Sequence, residues 1–187
     1  NFKIIAKEGV KIIFKNNGML ISYSPLTFVG TKNNPIQISS EQNLNSNGIS
    51  VINAQKKSIL ENIVFSNLGS NEDSNWELTG AITFYQSPVE ISKCSFENAN
   101  AEDSLNIIRS EFKIINSNFK KSKSDAIDID FSNGEINNVK ILNSENDGLD
   151  ISGSNITASN ITIYDSNDKA FSIGEESNFN ANNLYVK

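Results

Sequence analysis

Two stretches carry one pattern 22 residues apart: Asp125-Ala126-Ile127-Asp128-Ile129-Asp130-Phe131-Ser132 and Asp147-Gly148-Leu149-Asp150-Ile151-Ser152-Gly153-Ser154. Working backwards, Asp103-Ser104-Leu105-Asn106-Ile107-Ile108-Arg109-Ser110 and Gly80-Ala81-Ile82-Thr83-Phe84-Tyr85-Gln86-Ser87 align with them. Working forwards, Asp168-Lys169-Ala170-Phe171-Ser172-Ile173-Gly174 is a weaker fifth copy. A second register agrees independently: the last apolar residues of the recurring Asn-containing segments are Phe65, Phe96, Phe119, Ile141, Ile163 and Val186. Their spacings are 31, 23, 22, 22 and 23 residues. A short period with several β-branched runs per repeat predicts a coil whose turns stack. Each strand then pairs in parallel with its equivalent about 4.8 Å away, and inward side chains pile into one core.

No stretch shows sustained helical periodicity, and Pro occurs only at 25, 35 and 88. Asparagine at the bends tolerates left-handed backbone and can stack in a ladder. A leucine-rich repeat has a similar period, but its Leu-x-x-Leu-x-Leu signature is missing. An antiparallel sandwich would not hold equivalent tetrapeptides in register over four copies. The pattern, from about Val10 to Val186, resembles the pectate-lyase-like superfamily. That resemblance implies an all-β fold, a right-handed parallel β-helix of about 22 residues per turn.

The 187 residues form a single expected domain. Its one interruption is a polar insertion over about residues 68–79, around Ser70-Asn71-Glu72-Asp73-Ser74-Asn75-Trp76-Glu77, which lengthens the step from Phe65 to Phe96. Insertions in solenoids project from one face and often build a binding surface; packing of Trp76 on the coil wall is the equal alternative. The repeat still runs at Leu184-Tyr185-Val186, and the chain starts at Asn1 without methionine. The expectation is a segment of a longer protein, with another domain or chain capping the C-terminal end.

Composition narrows the chemistry. Histidine is absent and Cys94 is the single cysteine, which removes imidazole catalysis, histidine and multi-cysteine metal sites, and intrachain disulfides. A net charge of -6 argues against a nucleic-acid partner. No apolar run suits a membrane span of roughly 18 residues.

Strand alternation sends Thr83, Asn106, Asp128, Asp150 and Phe171 outward as one column, with Tyr85, Ile108, Asp130, Ser152 and Ile173 as the next. A third column starts these strands: Gly80, Asp103, Asp125, Asp147 and Asp168. Recurrent Asp at a turn start is best read as capping neighbouring N–H groups. Asp128, Asp130 and Asp150 are different, since Asp has poor β-propensity at strand centres. Asp128 and Asp150 should lie about 5 Å apart, where two bare carboxylates repel by about 3 kcal/mol. Such a cluster shares a proton, captures a cation or finds a basic partner. Arg109, the only arginine beside 15 lysines, falls next to it.

These residues leave three readings open. Asp128, Asp130 and Asp150 can hold Ca²⁺ through hard oxygen ligands; resemblance to the superfamily's lyases then implies that the ion grips an acidic sugar facing Arg109. Asp128 and Asp130 also suit the carboxyl separation of inverting glycoside hydrolases. Asp147-Gly148-Leu149-Asp150 matches part of a uronate C5-epimerase segment, without the histidine that follows there. The expected function is an extracellular or cell-surface polysaccharide-binding β-helix. Arg109, Asp128, Asp130 and Asp150 are its candidate catalytic residues, and Asn106, Thr83 and Tyr85 line the substrate. The competing class is a non-catalytic structural or adhesion module.

Overall fold

The computed structural model describes residues 2–41, 47–73 and 76–187, without the side chains of Glu72 and Asp73. The chain is a parallel β-solenoid of about eight turns, with about 23 residues per turn and no helix among the described residues. Three parallel sheets wrap the core. The first runs from strand Ile4–Lys7 through Leu26–Val29, Ser58–Glu61, Val89–Ser92 and Glu111–Ile115. The second runs from Lys11–Phe14 through Ile36–Ser40, Ile63–Ser66, Ser95–Glu97 and Asn118–Ser122. Both end on the long strands Asn133–Ser144, Asn155–Ser166 and Asn178–Val186, which bend through the corner between them. The third sheet stacks Leu20–Ser22, Ile49–Ile52, Ile82–Tyr85, Asp103–Ile108, Asp125–Asp130, Leu149–Ser152 and Phe171–Ile173.

The apolar register read from sequence is the observed ladder. Phe65 pairs with Phe96, Phe96 with Phe119, Phe119 with Ile141, Ile141 with Ile163 and Ile163 with Val186. The three phenylalanines stack, with ring centroids 4.9 and 4.4 Å apart. On the third sheet, Val51, Phe84, Ile107, Ile129, Ile151 and Ile173 form another inward column. Each turn buries its apolar face only against the turns beside it, so the core is continuous and cannot be made by one repeat alone.

Three columns of left-handed residues turn the corners. One contains Asn62, Lys93, Asn116, Asn138, Asn160 and Asn183, and a second Asn67, Asn98, Lys121, Asn143 and Asp165. Asparagine ladders form on the first, where the Asn138 amide donates to Asn116 (2.7 Å) and that of Asn183 to Asn160. The third column, at the end of the third sheet, is Asn53, Gln86, Arg109, Phe131 and Gly153. Here the ladder is made of buried serines one position on. The N–H groups of Ser87, Ser110 and Ser132 donate to the hydroxyls of Ser110, Ser132 and Ser154 at 2.8, 3.0 and 2.9 Å. Each of those three hydroxyls in turn donates to the carbonyl two residues back, at 2.8–2.9 Å. Ser132→Ala strands the buried N–H of Ser110, so it should lower unfolding free energy by about 2 kcal/mol. Urea denaturation checks this, and an unchanged midpoint would show the ladder to be ornamental.

Candidate functional site

Pairing across the third sheet sets Thr83 beside Asn106, Asn106 beside Asp128 and Asp128 beside Asp150. Tyr85, Ile108, Asp130 and Ser152 form the parallel column. The strand-centre aspartates are therefore gathered onto one outer face, as the repeat predicts. The weaker fifth copy is one residue out of the expected register. Ser172, not Phe171, pairs with Asp150, while Phe171 pairs with Leu149 and Ile173 with Ile151 on the inward side. Lys169, not Asp168, takes the position after Asp147: its N–H donates to the Asp147 carboxylate at 2.9 Å. A repeat spacing of 22, instead of 21, accounts for all three shifts.

The column that starts these strands caps the backbone, across turns. One Asp125 oxygen accepts both the Asp147 N–H and the Asn146 amide at 2.7 Å. These bonds oppose the burial that raises the Asp125 pKa. Asp103 differs from its equivalents. It is 2% exposed and one oxygen, Oδ2, has no hydrogen-bond partner.

The insertion lies against this face. Its strands Asn71–Asp73 and Trp76–Leu78 pair as an antiparallel hairpin, and Trp76 is 38% exposed. Ser74 and Asn75, in the expected insertion, lie outside the described residues. The buried Asn71 side chain accepts the Gly48 N–H at 2.6 Å and donates to Ser50 at 2.7 Å. Gly80 closes over the middle of the column, where a Cβ would come within 2.7 Å of Thr83 Oγ1 and 2.8 Å of Asn106 Cβ. Thr83 and Asn106 are consequently 0% and 1% exposed. Although they occupy the outward column, they are roofed and meet no ligand as folded. Tyr85 stays half-buried at the rim.

The roof decides the electrostatics. Asn106 donates its amide to Asp128 Oδ2 at 2.7 Å, while its own buried oxygen has no partner. Burial pushes the Asp128 carboxyl up to about 9, with the charges of Asp103, Asp130, Asp150 and Asp125 adding to it. Burial, offset by a Thr79 hydrogen bond, raises Asp103 to about 7. Asp130 is raised by burial but held back by its hydrogen bond from Asn106 and by the Arg109 charge. A protonated Asp128 supplies the O–H donor that such a crowded, acceptor-rich cluster needs. Among the described residues no group of three His, Cys, Asp or Glu side chains is placed to hold a metal ion.

Arg109 is exposed and lies over the Phe131 ring, 4.7 Å from its centroid. Both residues have left-handed backbone, φ 48° and 50°, which costs a non-glycine residue about 1–2 kcal/mol. Phe131 is 54% exposed and its ring covers Gly153, where a Cβ would fall 2.6 Å from it. Sequence reasoning missed the roof over Asn106, the orphaned Asp103 oxygen and this stack. The signal for the stack was the corner itself, where Arg109 and Phe131 stand at a left-handed position that asparagine holds on most turns of the other corners.

Cys94 is buried, its thiol raised to about 12 by desolvation. Lys120 lies in the strand Asn118–Ser122 and pairs with Glu97 at 3.2 Å. An open groove of about 510 Å³, lined in part by Pro35, Asn62, Lys93 and Asn118, contains none of the aspartates. No helix is long and apolar enough to cross a membrane among the described residues. No known protein-family model matches the chain, and no curated protein matches it in sequence.

Proposed function

We infer that the acidic face of this solenoid binds polysaccharide at an extracellular or cell-surface location and cleaves a glycosidic bond. The parallel β-solenoid supports a likeness to the carbohydrate-active, pectate-lyase-like β-helices. The observation that carries the reading is Asp128, a carboxyl whose pKa burial lifts to about 9, two residues from Asp130 on one strand. Residues at that spacing lie about 7 Å apart, within the separation used for inverting hydrolysis. Asp128 is the general acid, since it retains its proton at neutral pH. Asp130 is the base that activates water, because Arg109 and Asn106 favour its ionised form. Asp150 adds a charge that keeps the Asp128 proton in place. Tyr85 offers a rim ring for a sugar.

The described carboxyls do not form a metal-holding group, and the Asn106 amide points a donor at Asp128. This fits poorly with Ca²⁺ at Asp128, Asp130 and Asp150, so no step is routed through an ion, and β-elimination or epimerisation is the weaker chemistry. The roof over Thr83 and Asn106 favours a second reading, a non-catalytic adhesion module, because it removes two of the three expected sugar contacts. A panel of neutral and acidic polysaccharides separates the readings. New reducing ends without ultraviolet-absorbing unsaturated products support hydrolysis. Unsaturated products, or binding without any cleavage, reject it. Calorimetry with Ca²⁺ should show no saturable heat at neutral pH; a saturable site lost in Asp128→Asn would restore the metal reading.

A further inference from the structure

Lys169, at the start of the acidic face, is paired with Asp147, whereas Arg109, at its other edge, is a cation held in no ion pair among the described residues. Among the described residues the Arg109 guanidinium has no ion-pair partner and no hydrogen bond, although Asp130 lies close enough to be influenced by its charge. A mobile surface arginine would be unremarked, but this one is stacked on Phe131, whose ring is in turn seated on Gly153. The three residues occupy consecutive turns of one corner column, and the two with side chains hold left-handed backbone. On most turns of the other corners that position is asparagine, which adopts it with little strain. Strain of this kind persists where surrounding structure over-determines it, and it clusters at ligand clamps.

We propose that Phe131 is a positioning residue: seated on Gly153, it holds the Arg109 guanidinium flat and open, so that its free N–H fork receives an anionic group of the bound polymer. A guanidinium ordered before binding loses less side-chain freedom when it forms paired hydrogen bonds to a carboxylate or sulfate. Gly153 belongs to the device, since any side chain there would collide with the ring. The proposal rests on the polysaccharide reading for the identity of the ligand only; the immobilisation of Arg109 stands apart from it.

The chain has a single arginine, so its Nε–H gives one nuclear magnetic resonance signal whose relaxation reports its order. In the wild type that signal should show restricted motion. Phe131→Asn, which installs the usual corner residue, should keep or raise the denaturation midpoint while freeing the arginine; Phe131→Trp should keep it ordered. Affinity for a carboxylated or sulfated polymer should fall about five- to tenfold in Phe131→Asn and Arg109→Gln. Affinity for a neutral polymer should fall by a smaller factor in both, and parallel carboxylated and sulfated arms identify which anion is read. A freely moving arginine in the wild type, or one still ordered in Phe131→Asn, overturns the positioning role. Equal losses for neutral and anionic polymers overturn the anion fork. If Arg109 is ordered by Phe131 yet no polymer binds, the positioning role survives and the polysaccharide reading fails.

Discussion

Phe96→Ala lowers the unfolding free energy by about 4 kcal/mol, the cost of deleting a buried aromatic from a close-packed core. Phe96 is 2% exposed and is the middle ring of the Phe65–Phe96–Phe119 stack, so truncation removes ring contacts to the turn on each side. In a solenoid those contacts are also the interfaces that couple one repeat to the next. The variant should therefore do more than shift a midpoint. Amide exchange should accelerate around Phe65 and Phe119, and unfolding should broaden as the two halves lose cooperativity. Phe179, half-buried on the last turn, gives the contrast. Phe179→Ala should cost about 1–2 kcal/mol, because less apolar area leaves water there on folding. Urea titration with hydrogen exchange measures both, and similar losses at the two positions would reject the stacked-interface account.

The Phe96 ladder was legible in sequence because period and apolar residue coincide: 65, 96, 119, 141, 163 and 186 mark both the repeat and the core. The same arithmetic placed Asn106, Asp128 and Asp150 on one column. It failed at Phe171, where the motif around Asp168 drifts by one residue and an apolar side chain can be slid to either face. Spacing says which residues are neighbours; it does not say what lies on top of them. Asn106 lies under Gly80, a close approach that spacing does not reveal. The pKa shifts were hidden for the same reason, since the largest cause at Asp128 is burial and not the neighbouring charges that alternation reveals. Serine at 87, 110, 132 and 154 was visible as a recurrence, but its function as a buried hydrogen-bond ladder depends on corner geometry.

Asp128→Asn should stabilise the chain at neutral pH while removing the proton donor that the proposed hydrolysis requires. In the folded state Asp128 keeps its proton up to about pH 9, whereas an unfolded aspartate releases it near about pH 4. Between those values the folded form binds the extra proton, so the contribution of this residue to stability falls as pH rises. The slope is at most about 1.4 kcal/mol per pH unit, and partial solvent access should reduce the accumulated penalty to about 2–3 kcal/mol at pH 7. Asparagine carries no such penalty, has the same shape and can still accept the Asn106 amide through its oxygen. Denaturant midpoints for wild type and variant should thus coincide near pH 4 and separate steadily above it, with the variant more stable. On the proposed hydrolytic reading, glycosidic cleavage should meanwhile fall about 10²- to 10⁴-fold through loss of the proton donor. The reverse pattern, a variant less stable at pH 7 with wild-type activity, would make Asp128 a structural group and leave the acidic face without a catalyst.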